Sequence, residues 1–216
     1  MTLTRHMLRS ALLLGLFAVA GTGLVAFTYL GTKDEVDAAD RAYQLRSLNA
    51  VIKPELYDND IFADAIEVTS PDLLGSETPT PVFRARRGGQ PVAVAFICTA
   101  PNGYAGPIKL LVGIYENGNL AGVRVLAHKE TPGLGDFIEE RRSPWITAFD
   151  NRSLTDPEPK FWGVRRDGGK FDQFTGATIT PRAVVKAVHN ALKFYAQNKE
   201  RLFSSPNTSE GLNGNK

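Results

Sequence analysis

The sequence predicts an α+β protein: a single N-terminal transmembrane helix followed by one domain in which antiparallel β-hairpins pack with helices. Three observations predict it. Residues 11–30 carry no charge; residues 81–128 hold two pairs of β-rich runs, each folded about a glycine-containing turn; and residues 181–202 carry apolar side chains at helical spacing. A chain of 216 residues, 43% of them hydrophobic, suffices for one domain with a real core and an appendage. No βαβ alternation and no Gly-x-Gly-x-x-Gly after a strand is present, so a Rossmann-type nucleotide site is not supported.

The uncharged stretch from Ala11 to Leu30 would make a helix roughly 30 Å long, the thickness of a bilayer's hydrocarbon core. Arg5 and Arg9 precede it, whereas Asp34, Glu35, Asp37 and Asp40 outweigh Lys33 and Arg41 after it. The positive-inside rule then puts residues 1–10 in the cytoplasm and the bulk of the chain outside. A cleaved signal peptide is the competing reading, with Ala18-Val19-Ala20 as the cleavage site, but the apolar run continues to Leu30, beyond a signal's usual apolar region of about 7–15 residues.

Residues 31–80 form a membrane-proximal segment. Ala39, Tyr43, Leu45, Leu48 and Val51 among charges predict an amphipathic helix from Val36 to about Lys53, ended by Pro54, and the polar run from Gly75 to Thr80 predicts a loop. The domain proper is placed at 81–203. Its first hairpin joins Pro81–Arg86 to Pro91–Thr99 through Arg87-Gly88-Gly89-Gln90; its second joins Ile108–Tyr115 to Leu120–His128 through Glu116-Asn117-Gly118-Asn119. Phe137–Phe149 is helix-like apart from Pro144, Phe161–Arg166 and Lys170–Phe174 predict a last strand, and Pro181–Leu202 is the best helix, with Thr180 as its N-cap and Pro181 in its first position. Ser204–Lys216 is polar and predicted to be disordered.

Composition removes several functions. The net charge of +2 resides in Arg5 and Arg9, since the other 23 basic residues match 23 acidic ones, so the folded part lacks the basic excess of a nucleic-acid binder. Cys98 is the only cysteine and lies in an apolar run, which excludes an intramolecular disulfide and cysteine-held clusters and predicts a buried structural thiol. His6, His128 and His189 show no metal spacing, and His189 is expected to be structural or exposed. No catalytic acid–base pair or triad is visible; His128 and Glu130 are read as decorating a strand end.

Three loops remain. Gly103 to Pro107 and Glu130 to Gly135 are glycine- and proline-rich turns by composition. Asp172-Gln173-Phe174-Thr175-Gly176-Ala177-Thr178-Ile179-Thr180 runs into the last helix, where small residues let a ligand lie close and the helix N-terminus favours an anion. Asp172 followed by Thr175-Gly176-Ala177-Thr178 and Thr180 resembles the flavinylation motif of the FMN-binding domain family. Gly103-Tyr104-Ala105-Gly106-Pro107-Ile108 and Glu130-Thr131-Pro132-Gly133-Leu134-Gly135 resemble the other two hallmarks of that family. Over nearly its whole length the chain resembles the G subunits of the Rnf/Rsx ion-translocating oxidoreductase complex. The related C subunit of sodium-pumping NADH:quinone oxidoreductase and a non-redox membrane-tethered binding module are the alternatives.

The resemblance implies FMN joined by a phosphodiester to Thr178, with Thr175, Gly176, Ala177, Thr131, Leu134 and Gly135 about the flavin. Asp172 would serve recognition by a Mg-dependent flavin transferase that uses FAD, and Arg182 or Lys186 are candidates to offset the phosphate charge. It further implies a bacterial inner-membrane, single-pass electron carrier whose main domain is periplasmic, working beside other subunits and not as an enzyme alone. Thr175 and Pro181 stand where many relatives have Ser; the first keeps a hydroxyl and the second removes one.

Overall fold

The computed structural model describes residues 2–204, without the side chains of residues 2–4 and 37. Met1 and all but Ser204 of the tail expected at 204–216 lie outside the described residues. The chain divides into two compact units, Met1–Leu45 and Arg46–Lys216.

The first unit lies within helix α1 (Thr2–Val51). Its described side chains from Arg5 onward are all exposed, and α1 is the one helix among the described residues long and apolar enough to cross a membrane. The separate amphipathic helix expected from Val36 to Lys53 is corrected here: it is the continuation of α1. Between Leu30 and Val36 there is no proline, and Gly31, the weak point, is followed by Lys33 and Glu35, both good helix formers.

The second unit is built on one five-stranded antiparallel sheet, β1 (Ile66–Ser70), β2 (Ser76–Arg87), β3 (Gln90–Ala100), β4 (Ile108–Tyr115) and β5 (Leu120–Ala127), in sequential order. Gly88 and Gly89 have φ of 55° and 78°, the pair of positive values that a two-residue hairpin turn needs. Both hairpins form as the turns predict. From Ser76 on, the loop expected over 75–80 is instead the start of β2, because an edge strand, β1, pairs with it and aligns Val68 with Thr80. Between β1 and β2 the chain turns through a single helical turn, α2 (Pro71–Leu74), closed by Gly75 at φ 65°.

Both faces of the sheet are covered, so its central strands are apolar on both sides. Val94, Phe96 and Cys98 of β3 and Leu110, Val112 and Ile114 of β4 face the larger core, which α3 (Ile179–Phe203) completes with Val184, Val188, Leu192 and Tyr195. Cys98 is 1% exposed and burial pushes its thiol up to about 12, as expected of a structural cysteine. Ala93, Ala95 and Leu111 face the other way, onto Leu48, Val51 and Ile52 and onto Ile61. Gly113 and Gly122 are cross-strand partners, and a Cβ on either would come within 3.2 Å of Val51, so this glycine pair is what lets Val51 lie flat on the sheet. At the end of α3, buried Arg84 donates to the Ser204 carbonyl (2.6 Å) and Arg86 to that of Phe203 (2.9 Å), while both pair with Asp64. Two cations thus complement the negative end of the helix.

Residues 128–178 contain no regular strand or long helix. The helix expected over 137–149 and the strand expected over 161–174 are corrected to a series of short 3₁₀ turns, at Asp136–Ile138, Pro144–Phe149, Pro159–Phe161 and Arg165–Asp167. Aromatic stacking replaces backbone ladders here. Phe149 stacks on Phe171 (ring centroids 4.6 Å apart), Trp162 lies 5.2 Å from Phe171, and Trp145 meets Phe174 edge-on at 5.2 Å. Trp145 Nε1 also donates to the Asp172 carbonyl (2.8 Å), which anchors the strand-like approach to the last helix.

His189, half-buried on α3, stacks flat on Trp162 at 5.0 Å. Burial, with Lys193 nearby, lowers its pKa from 6.5 to about 4. As pH falls, the unfolded chain therefore takes up this proton before the folded one, so its contribution is present above about 6.5 and lost on the way down to about 4. Thermal melts should show stability dropping by on the order of 1 kcal/mol across that window, and His189→Phe should flatten the drop.

Candidate functional site

Strand pairing sets where the candidate residues gather. Ala100 pairs with Ile108 and Lys109 with Ala127, so the 101–107 loop and the chain leaving β5 at His128 emerge side by side from one end of the sheet. Tyr195, far along α3, donates its hydroxyl to the Glu116 carbonyl (2.9 Å) in the β4–β5 turn, at the opposite end. The N-terminus of α3 therefore lies at the end where the two loops emerge.

The three segments meet on one carboxyl group. Glu130, 4% exposed, accepts from the main-chain N–H of Ala105 at Oε1 (3.1 Å) and from the hydroxyl of Thr180 at Oε2 (2.5 Å). A buried carboxylate is costly unless donors replace water, and here one comes from each neighbouring segment. One glycine in each loop lies against it: a Cβ on Gly103 would lie 2.8 Å from Oε1, and closer still to the Gly106 carbonyl, and one on Gly135 would lie 2.8 Å from Oε2. His128, at the strand end, accepts from the Glu130 N–H at Nδ1 (3.0 Å) and pairs through Nε2 with Glu139 (2.8 Å). Arg141, with His128 beside it, holds the Glu139 carboxyl down at about 2.

This arrangement corrects the expected helix cap. Thr180 is not the N-cap of α3; it is fully buried inside the first turn, its hydroxyl taken by Glu130. That hydroxyl donates to a carboxylate, a stronger acceptor than a neutral group. The N-cap is Thr178, with φ −80° and ψ −26° and no capping hydrogen bond from its side chain. The Thr178 side chain is half-buried, and its hydroxyl is left available.

Beside Thr178 opens a cleft of about 340 Å³. Thr131, Leu134 and Gly135 line it from one segment and Gly176, Ala177 and Thr178 from the other, with buried Glu130 and Thr180 also in its wall. Tyr104 and Ile179 complete the lining, 69% and 46% exposed. The remaining sequence candidates fall elsewhere. Thr175 is exposed and outside the cleft lining. Asp172 pairs with Arg165 (2.7 Å) and borders a separate concavity of about 530 Å³ beside Trp145. Arg182, one candidate to offset a phosphate, makes a bidentate pair with Asp167 (2.6 and 2.8 Å), and Lys186 lines a different hollow near Pro71. The first amides of α3, which have no partner within the helix, are the positive group that remains at this end.

Comparison with known proteins identifies the frame. Residues 103–193 match the model of the FMN-binding domain family, and residues 1–51 match that of the RnfG N-terminal region. The chain is 51% identical over 200 residues to the G subunit of the ion-translocating oxidoreductase complex of Pseudomonas aeruginosa strain UCBPP-PA14, covering 93% of this chain and 94% of the relative. It is 47% identical to the corresponding protein of Pseudoalteromonas atlantica (92% and 93% covered) and 47% identical to that of Vibrio cholerae strain O395 (94% and 97% covered). The chain belongs to the G-subunit family of ion-translocating oxidoreductase complexes. This decides between the G subunit and the related C subunit weighed from sequence.

The residues present fit an FMN group. The cleft volume falls in the range of small-molecule sites, about 300–1,000 Å³, its floor includes glycine backbone, and a helix N-terminus suited to a phosphate opens onto it. Sequence reading missed Glu130 as the centre of the site, although it begins one of the quoted motifs; its signal was position, a carboxylate placed before a run of glycines.

Gly135→Ala places a Cβ 2.8 Å from both Cβ and Oε2 of Glu130 and 3.1 Å from the Thr180 hydroxyl. Chemical denaturation should show a loss of about 1–3 kcal/mol, the usual cost of overpacking. Gly163→Ala, at an ordinary φ with its nearest neighbour 3.8 Å away, should cost less.

Proposed function

We propose that this chain is the membrane-anchored electron carrier of an ion-translocating oxidoreductase complex and holds FMN through a phosphodiester to Thr178. The observation that carries the assignment is the contrast between two neighbouring threonines: Thr180 has its hydroxyl committed to Glu130, whereas Thr178, uncapped at the mouth of α3, faces the cleft.

A threonine hydroxyl is a weak nucleophile, and the described residues supply no base paired with Thr178, so attachment requires a separate Mg-dependent flavin transferase. In that reaction Thr178 Oγ1 bonds to the FMN-side phosphorus of FAD, the pyrophosphate P–O bond breaks, AMP departs, and the hydroxyl proton is released. Asp172 serves recognition by that enzyme in this reading, and its exposure beside Arg165 supports the role. After attachment the remaining phosphate charge sits at the positive end of α3.

Bound FMN supplies one- and two-electron chemistry. The chain's own residues bind and orient it: Leu134 and Tyr104 offer apolar surface, the glycines allow close approach, and the cleft stays open enough for an edge to reach a redox partner. The partners are the other subunits of the complex, which relay electrons from a low-potential donor such as reduced ferredoxin or a nicotinamide. In this reading α1 spans the inner membrane once and the second unit is periplasmic, which Arg5 and Arg9 before the apolar run and the acidic residues after it support. Covalent attachment suits that compartment, where a dissociated cofactor would be lost. A single span without an intramembrane charge is no ion path, so ion movement belongs to the partners.

Full-length tagged chain produced with a flavin transferase should give a flavin-fluorescent band on a denaturing gel. Thr178→Val should abolish the band and Thr180→Val should keep it. Fluorescence persisting in Thr178→Val, or a dark wild-type band, would refute the assignment.

A further inference from the structure

Among the carboxylates around the cleft, Glu130 differs in how its charge is met. Asp136, 5% exposed, pairs with Arg142 (3.2 Å) and accepts from Gly133 N–H (2.8 Å); Glu139 pairs with Arg141 and His128. Glu130 is as deeply buried but makes no pair with a lysine or arginine among the described residues. Its hydrogen-bond donors, the Ala105 amide and the Thr180 hydroxyl, are neutral, and Lys129 beside it in sequence is exposed. Both carboxyl oxygens accept hydrogen bonds, the pattern of a carboxylate, and it stands in the cleft wall with neutral donors alone about it.

We propose that the buried Glu130 carboxylate, anchored by Ala105 and Thr180 in the cleft wall, is a charge that holds the midpoint potential of the bound flavin low. The inference rests on the reading of the cleft as the flavin site. Two-electron reduction of a flavin with uptake of one proton adds one negative charge to its ring system. Placing that charge near Glu130 is disfavoured for the same reason that two carboxylates sharing one site resist ionising together. The oxidised form carries no such penalty, so Glu130 favours it, and the flavin gives up electrons more readily. Geometry serves the same end: an acceptor gripped from two segments cannot swing away as charge develops.

Two substitutions separate charge from packing. Glu130→Gln keeps size and can keep both hydrogen bonds but removes the charge. Thr180→Val keeps the charge and near-isosteric volume but removes a donor that partly neutralises it. The experiment is a potentiometric titration of the full-length, flavinylated chain in detergent at mildly alkaline pH, followed by flavin absorbance, after in-gel fluorescence has verified the cofactor. Glu130→Gln should raise the midpoint potential, with the ratio of reduced to oxidised flavin at a given potential increased about tenfold, or about 30 mV for a two-electron couple. Glu130→Asp should stay nearer the wild type, and Thr180→Val should move the potential downward.

An unchanged or lowered potential in Glu130→Gln overturns the inference while leaving the flavin site intact. Upward shifts in both Glu130→Gln and Thr180→Val mark a packing effect and overturn it too. If Glu130→Gln is not recovered folded, Thr180→Val decides alone: a downward shift supports the charge, and an upward or absent one refutes it. A dark wild-type band removes the flavin-site reading and this inference with it.

Discussion

The carboxyl group of Glu130 is the constraint on which the candidate site depends. It is buried, so its oxygens must be satisfied by protein donors, and those donors come from the 101–107 loop and from the first turn of α3. Neither the loop nor the segment that carries Glu130 has a regular ladder of its own at this point. Each is held where it is because the carboxyl ties it to the other and to the helix. The same contact sets the two threonines apart: the Thr180 hydroxyl is committed to Glu130, while Thr178 stands at the N-cap with no capping bond from its side chain.

The sheet brings these segments to one place. A meander of β3, β4 and β5 puts the β3–β4 connection and the exit from β5 at the same end, and α3, fixed at the far end by Tyr195 and Arg84, delivers its N-terminus to them. Apolar cover on both faces keeps this frame rigid: α3 lies on one side, and the 48–52 segment lies on the other over the Gly113–Gly122 pair. A site assembled from loops can then hold its geometry, because the ends of those loops are tied to strands that cannot shift register without exposing a core face.

Much of this was legible in the residues where the chemistry is local. Gly88-Gly89 and Asn117-Gly118 announce hairpins through backbone angles that few other residues adopt, and the apolar spacing of Val184, Val188 and Leu192 announces α3. What escaped was non-local. The run from Ser76 to Thr80 looks like a loop because polar residues carry little strand preference; it becomes a strand by pairing with β1, an edge that only the fold supplies. The helix expected over 137–149 and the strand expected over 161–174 do not form, because the order there comes from Phe149, Trp162, Phe171 and Trp145 stacking across distances in sequence that no periodicity records. Thr178 and Thr180 both suit a helix cap by type, and the choice between them is made by Glu130, 50 residues before Thr180. The family motifs pointed to the site, while the reason for Gly135, and part of that for Gly103, appeared only once the Glu130 carboxyl was in view.

The central claim is that one hydroxyl at the mouth of α3, that of Thr178, carries the cofactor. Its most direct test is tandem mass spectrometry of the tryptic peptide running from Phe171 to Arg182, taken from full-length chain matured with a flavin transferase. The account predicts an added flavin-phosphoryl group on Thr178, with Thr175 and Thr180 unmodified. Localisation of that group to Thr175 or Thr180, or an unmodified peptide throughout, would contradict it.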